Sequence, residues 1–188
     1  FSSRPMEEWV DRVAGSFRHW EIFSEADHII VGREAGIRDM MRSRGMTCSV
    51  HAPICDLNVG ALTDRLMEAS VEVLTDTIRS AAEIDAVTVT IHPGLSSMSV
   101  NDTEARATER AKRSMRVLEK AGEEYGMTLA IENMPSFPFF LGRTAASLAD
   151  IVDGTDLGIC FDIGHANTMG QIDAMVETFG DRIVNVHI

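Results

Sequence analysis

The chain has 188 residues, of which 45% are hydrophobic and 24% charged, enough for one globular domain with a sizeable core. Its 29 Asp and Glu against 17 Lys and Arg leave a net charge of −12. That balance argues against nucleic acid as the main partner, because phosphate contacts need clustered basic residues, and it suits a small neutral substrate or bound cations.

At the start, "FSS" reads as the tail of a strand. "SRPMEEWVDRVAG" reads as a first helix with Pro5 in its first turn and Gly15 at its end. Strands are expected over "HWEIFSE" (19–25) and "TCSVHAP" (47–53). Leu62, Leu66, Ala69 and Val73 then step by four, three and four, which puts them on one face of a helix. A strand over "AVTVTIHPG" (86–94) follows. "NDTE" at 101–104 offers Asn101 as an N-cap with Glu104 three residues later, close to a capping box. Ala111, Met115, Leu118 and Gly122 mark the buried face of the helix it opens, and Gly126 stands where a C-cap glycine belongs. The last strands are expected over "TLAIENMP" (128–135), "LGICFDIGH" (157–165) and "IVNVHI" (183–188). Several of these runs are continuously apolar rather than alternating, as in parallel sheets covered on both faces.

Strand–helix alternation without a linker or repeat implies one α/β domain over 1–188 with a parallel sheet. The strand starts lie 28, 39, 42, 29 and 26 residues apart, and a (β/α)8 TIM barrel uses about 31 residues per unit. The expectation is therefore an incomplete TIM barrel of six to seven strands, cut at both ends. It begins at Phe1 without Met and stops at Ile188 inside an apolar run. Such a sheet leaves a raw edge through which a homo-oligomer can form. Cys48, Cys55 and Cys160 are odd in number and show no CxxC spacing, so free thiols and a cytoplasmic location are expected. No apolar run approaches the ~18 residues of a membrane span, and no membrane partner is expected.

In parallel α/β folds the active site lies at the carboxyl ends of the strands. There the sequence places Glu21, Glu25, His51, His92, Glu132, Asp162 with His165, and His187. Taken singly, each has a plain structural reading: a satisfied polar residue, a helix cap, a turn. Taken together, they would converge on one ring, and carboxylates that close need a positive group among them. A divalent metal is the simplest such group. Imidazole with carboxylate suits zinc, manganese, cobalt or iron, the carboxylate share also admits magnesium, and no thiolate is required.

"HAPICDLN", "VTIHPG", "AIENMP", "ICFDIGHAN" and "VNVHI" together resemble the xylose isomerase-like TIM barrel superfamily, which includes sugar and sugar phosphate isomerases and epimerases and the abasic-site nuclease endonuclease IV. In the isomerase and epimerase branch the resemblance implies a single metal on Glu132, Asp162 and His187. Its implied chemistry is proton abstraction beside a carbonyl through an enediolate. Glu132 would share the acid–base work, and His165 would bind a substrate hydroxyl or a second metal. Glu21, His92 and Asn133 would line the substrate pocket, with Trp20 and Phe137 as possible walls. In the endonuclease IV branch His51, His92 and His165 would join the ligands of a zinc cluster. The acidic charge, Ile54 where that branch carries Tyr, and the lack of an Arg-rich aromatic loop favour a sugar-like small molecule over DNA. A third reading is an inactive fragment or a binding protein.

Overall fold

The structure, a computed structural model, describes residues 4–97 and 100–188. The strand tail expected at 1–3 lies outside the described residues. Short runs rich in Val, Ile and Thr pair into one parallel sheet of six strands in sequential order. These are β1 (His19–Phe23), β2 (Thr47–His51), β3 (Val89–Ile91), β4 (Leu129–Glu132), β5 (Gly158–Asp162) and β6 (Ile183–His187). Each falls inside a run expected from the sequence, and each run continues past its strand. Among the described residues, seven α-helices accompany the strands: α1 (Glu7–Ala14), α2 (Glu34–Arg42), α3 (Asp64–Glu83), α4 (Glu104–Tyr125), α5 (Ala145–Ile151), α6 (Ile163–Thr168) and α7 (Ile172–Phe179). Among the described residues, no helix is long and apolar enough to cross a membrane.

Alternation along the strands divides the sheet into two faces. Trp20, Ile22, Val50, Val89, Ile91, Leu129, Ile131, Ile159 and Phe161 pack with the helices in one hydrophobic core. The opposite face is polar and concave. Asn185 on β6 donates through Nδ2 to Glu21 on β1 at 3.3 Å and to Thr90 on β3 at 3.0 Å. First, third and sixth strands share an interior only if the sheet curls, and the curl is that of an incomplete TIM barrel.

Three local expectations need correction. Pro5 stands outside the first turn of α1, before the N-cap Met6. The Leu62–Leu66–Ala69–Val73 stripe does not face the core. Leu66 and Val73 are 60% and 40% exposed, and α3 buries Ser70, Leu74, Thr77, Ile78 and Ala81 instead. Ser70 and Thr77 tolerate burial because their hydroxyls donate to the carbonyls of Leu66 and Val73 one turn back. The capping box at 101–104 is not made either. Thr103 is the N-cap of α4 and makes no side-chain cap bond. A reciprocal box forms at α5, between Thr144 and Ser147. Ala111, Met115, Leu118 and Gly122 are buried as expected, and Gly126 caps α4 in the left-handed region at φ 67°.

The α3 register yields a direct contrast. Leu74→Ala should cost about 2–5 kcal/mol of unfolding free energy, whereas Leu66→Ala should stay within about 0.5 kcal/mol. Urea denaturation of the two variants measures both.

Candidate metal centre

Glu132 closes β4 and is 2% exposed. Four imidazoles surround its carboxylate. His51 Nε2 and His92 Nε2 lie 3.2 and 3.0 Å from Oε2. His187 Nδ1 and His165 Nδ1 lie 3.0 and 3.5 Å from Oε1. Asp162, the last residue of β5, adds a second carboxylate, its Oδ2 being 3.6 Å from His165 Nδ1 and 3.8 Å from His187 Nδ1. Three sets of donor atoms lie within 4.8 Å of one another: His51–His92–Glu132, Glu132–Cys160–His187 and Glu132–Asp162–His165. Glu132 belongs to all three.

The backbone decides which imidazole nitrogen faces inward. His51 Nδ1 sits 2.8 Å from the Ala52 carbonyl. A carbonyl only accepts, so Nδ1 carries a proton; Nε2 faces Glu132 and can donate to it only when the ring is doubly protonated. In the same way His165 Nδ1 donates to the Asn133 carbonyl at 2.9 Å and leaves Nε2 as an acceptor. A lone pair and a carboxylate oxygen at 3.2 Å repel unless a proton or a cation lies between them. The donor set therefore fits a divalent metal, with Glu132, Asp162, the inward nitrogens of His51, His92 and His187, and the remaining acceptor Nε2 of His165 as the groups able to hold it.

Protonation follows the same geometry. Burial alone would raise the Glu132 carboxyl, but hydrogen bonds from His187, His51 and His92 outweigh it and hold the group far below the usual carboxylate range. Burial pushes His92 down, against the pull of Glu132. His187 is pushed up to about 12 by the Cys160 sulfur and by the carboxylates of Glu132 and Glu21.

The structure brings every expected ligand together at the ring, and of the expected pocket residues His92 lines a cavity beside it while Glu21 and Asn133 contact the ligands. Glu21 lies beneath the ring, its carboxylate oxygens 3.1 Å from His187 Nε2. It grips the second ring nitrogen of an expected ligand. Asn133 is fully buried. Its side chain donates to the Asp162 carbonyl at 2.9 Å and accepts from the Asp162 N–H at 2.8 Å, which locks β4 to β5. The polar residues expected as turn or cap also take those parts: Asp162 Oδ1 accepts from the His165 N–H at 2.6 Å as N-cap of α6. Glu25 stands outside the ring and accepts from the N–H groups of Ile54 and Cys55. Trp20 belongs to the outer core, edge-on to the buried His28, and Phe137 is 57% exposed. Cys160 and Asn185, each two residues before a ring residue on its strand, were not anticipated as site residues. Period-two alternation from Asp162 and His187 was the signal that pointed to them.

Residues 13–188 match the family model described as xylose isomerase-like TIM barrel. An uncharacterized protein of Methanocaldococcus jannaschii is 34% identical over 179 residues, which cover 92% of this chain and 61% of that protein. A probable endonuclease 4 of Thermoplasma volcanium is 27% identical over 151 residues, covering 74% of this chain and 50% of that protein. The chain thus spans about half to three-fifths of the length of these relatives. Among solved structures, a D-tagatose 3-epimerase-like protein superposes with a TM-score of 0.93 at 31% identity, over 100% of this chain and 73% of that one. Endonuclease IV from Thermus thermophilus shares the fold at a TM-score of 0.70 and 23% identity, over 96% of this chain and 70% of that one.

The metal-free protein should lose stability on both sides of neutrality. Glu132 stabilises the fold above its ordinary value of 4.5 and loses that contribution as pH falls. The His187 contribution is complete below 6.5 and is lost as pH rises towards about 12. Ring-nitrogen NMR should find His187 doubly protonated where His92 is already neutral. Coincident titration of the two would contradict the geometry.

Proposed function

The chain belongs to the xylose isomerase-like TIM barrel family, and on that premise we propose that it is a metal-dependent isomerase or epimerase of a sugar or related polyol. The observation that carries this reading is His51 Nε2 at 3.2 Å from the buried Glu132 carboxylate while its Nδ1 is committed to the Ala52 carbonyl. A site of that kind is built for a cation. Among the described residues, no Lys or Arg takes part in the ring's ion pairs. The net charge of −12 repels an anionic polymer.

When bound, a divalent cation supplies Lewis-acid polarisation of a carbonyl and its neighbouring hydroxyl. The chain's residues do the rest. Glu132, ionised and buried, anchors the centre. Asp162 and His187 close one side of it, and His51 and His92 the other. Glu21 and Asn133 hold the ligands in place from behind. His165 has a fixed Nδ1–H and a free Nε2 acceptor on a side chain 30% exposed, so Nε2 is the group placed to take or return a substrate proton. Glu132 serves better as an anchor than as a base, since its oxygens already face four imidazoles.

A second reading is favoured by one feature. Six potential ligands exceed what one tetrahedral ion needs, as in a multi-zinc phosphodiesterase of the endonuclease IV kind. Metal stoichiometry separates the two: one ion per chain supports the isomerase, while two or three with cleavage of abasic-site DNA supports the nuclease.

Two outcomes are expected. Glu132→Gln should abolish zinc or manganese binding measured by calorimetry, and chelation should silence any isomerase activity found in a ketose and aldose screen. Glu21→Gln should weaken metal affinity by about 10–100-fold while leaving the fold intact. Unchanged affinity would remove Glu21 from the site.

A further inference from the structure

Beside the ring, between the loops that follow β2, β3 and β4, lies a cavity of about 200 Å³. Val59, Leu74, Leu95, Phe139 and Phe140 form its walls, and His92 stands at its boundary with the ring. Phe140 meets the His92 imidazole edge-on at 6.4 Å, so cavity and ring share a wall. Of the lining side chains, only His92 and Cys55 bear a polar atom, and none is Lys, Arg, Asp or Glu.

The cavity is held open by its own loops. Asn58 Oδ1 accepts from the N–H groups of Gly60 and Leu95 at 2.9 Å, and its Nδ2 donates to the Leu95 carbonyl at 3.0 Å. The Ser96 N–H reaches the Phe139 carbonyl at 2.8 Å, and the Leu141 N–H reaches the Gly94 carbonyl at 3.1 Å. Gly94 adopts φ 103°, and a Cβ there would meet the Gly60 nitrogen at 2.9 Å. The three loops are thus tied into one frame around the space. Preorganised apolar volume next to a polar reacting centre is how a site grips the non-reacting end of its ligand.

The wall chemistry selects that end. A phosphate would enter with no cation to meet it. A chain of hydroxyls would leave water for walls that offer almost no partners, and buried unpaired polar groups are unfavourable. An alkyl or aryl group loses nothing on entry. The size suits it, since an apolar cavity of about 150 Å³ accommodates benzene.

We infer that this cavity takes an apolar end, deoxy-alkyl or aryl, of a substrate whose hydroxycarbonyl end reaches the Glu132 ring. The inference rests on the proposed isomerase reading and narrows its substrate class away from sugar phosphates and fully hydroxylated sugars.

Two measurements on the full chain test it. Fluorobenzene binding to the metal-free protein, followed by fluorine NMR, examines the cavity without the metal. It should be saturable, lost in Leu95→Trp and Phe139→Trp, and retained in the surface control Val73→Trp. Circular dichroism confirms that each variant is folded. With zinc added, calorimetry then compares 1-hydroxy-4-phenylbutan-2-one, dihydroxyacetone phosphate and D-fructose. The phenyl ketone should bind at least tenfold tighter than either of the others, and Leu95→Trp should erase that preference. Absence of saturable fluorobenzene binding overturns the inference, as does equal or tighter binding of the phosphate or of fructose. Fluorobenzene binding without any zinc binding supports the cavity and defeats the isomerase reading instead.

Discussion

A buried carboxylate facing imidazoles on every side sets the conditions for this molecule. Glu132 is almost wholly removed from water, and an isolated charge so placed is costly. Its compensation comes from four histidines, three of which lie on other strands or at their ends. With two of those rings already donating to carbonyls through Nδ1, neutral imidazoles cannot all donate to the carboxylate. Extra positive charge has to enter, as protons on the rings or as a metal. The high value of His187 and the low value of Glu132 are the metal-free expression of that requirement.

The barrel supplies this ring because parallel strands end at a common level. β2, β4, β5 and β6 finish at His51, Glu132, Asp162 and His187, and β3 is followed at once by His92. Curling of the sheet then turns a row into a ring, and the contact from Glu21 on β1 to His187 on β6 shows how far the curl has gone. Residues behind the ring serve it. Asn133 ties the Asp162 backbone to β4, and Asp162 both caps α6 and faces the centre, so the fold and the site share the same bonds.

The surroundings divide by chemistry. Acidic and imidazole groups fill the concave face, and one flank is an apolar chamber framed by Asn58. Strong negative net charge, with no Lys or Arg among the described residues in the ring's ion pairs, accords with the proposal of a small uncharged ligand. The surplus of ligating groups is the feature that keeps a phosphodiesterase in view. Similar proteins lie on both sides of that choice, one resembling an epimerase and others named for an endonuclease.

Much of this was legible in the chain itself. Apolar runs ending in His, Glu or Asp identify both the strands and the ring, because burial on two faces writes a continuous pattern and strand ends in such folds converge. His51, His92, Glu132, Asp162, His165 and His187 were all readable in that way. Periodicity alone could not say which stripe of α3 faces the core, since Leu66 and Val73 compete with Leu74 and Ile78 and only the neighbouring strands decide. Nor could it assign Glu21 and Asn133 to supporting positions, which depend on the curl of the sheet and the pairing of β4 with β5. Sequence determines what chemistry arrives at the mouth of the barrel, through local alternation and composition. Tertiary structure decides which nitrogen faces which oxygen, and where the apolar chamber lies, because those depend on contacts between segments far apart along the chain.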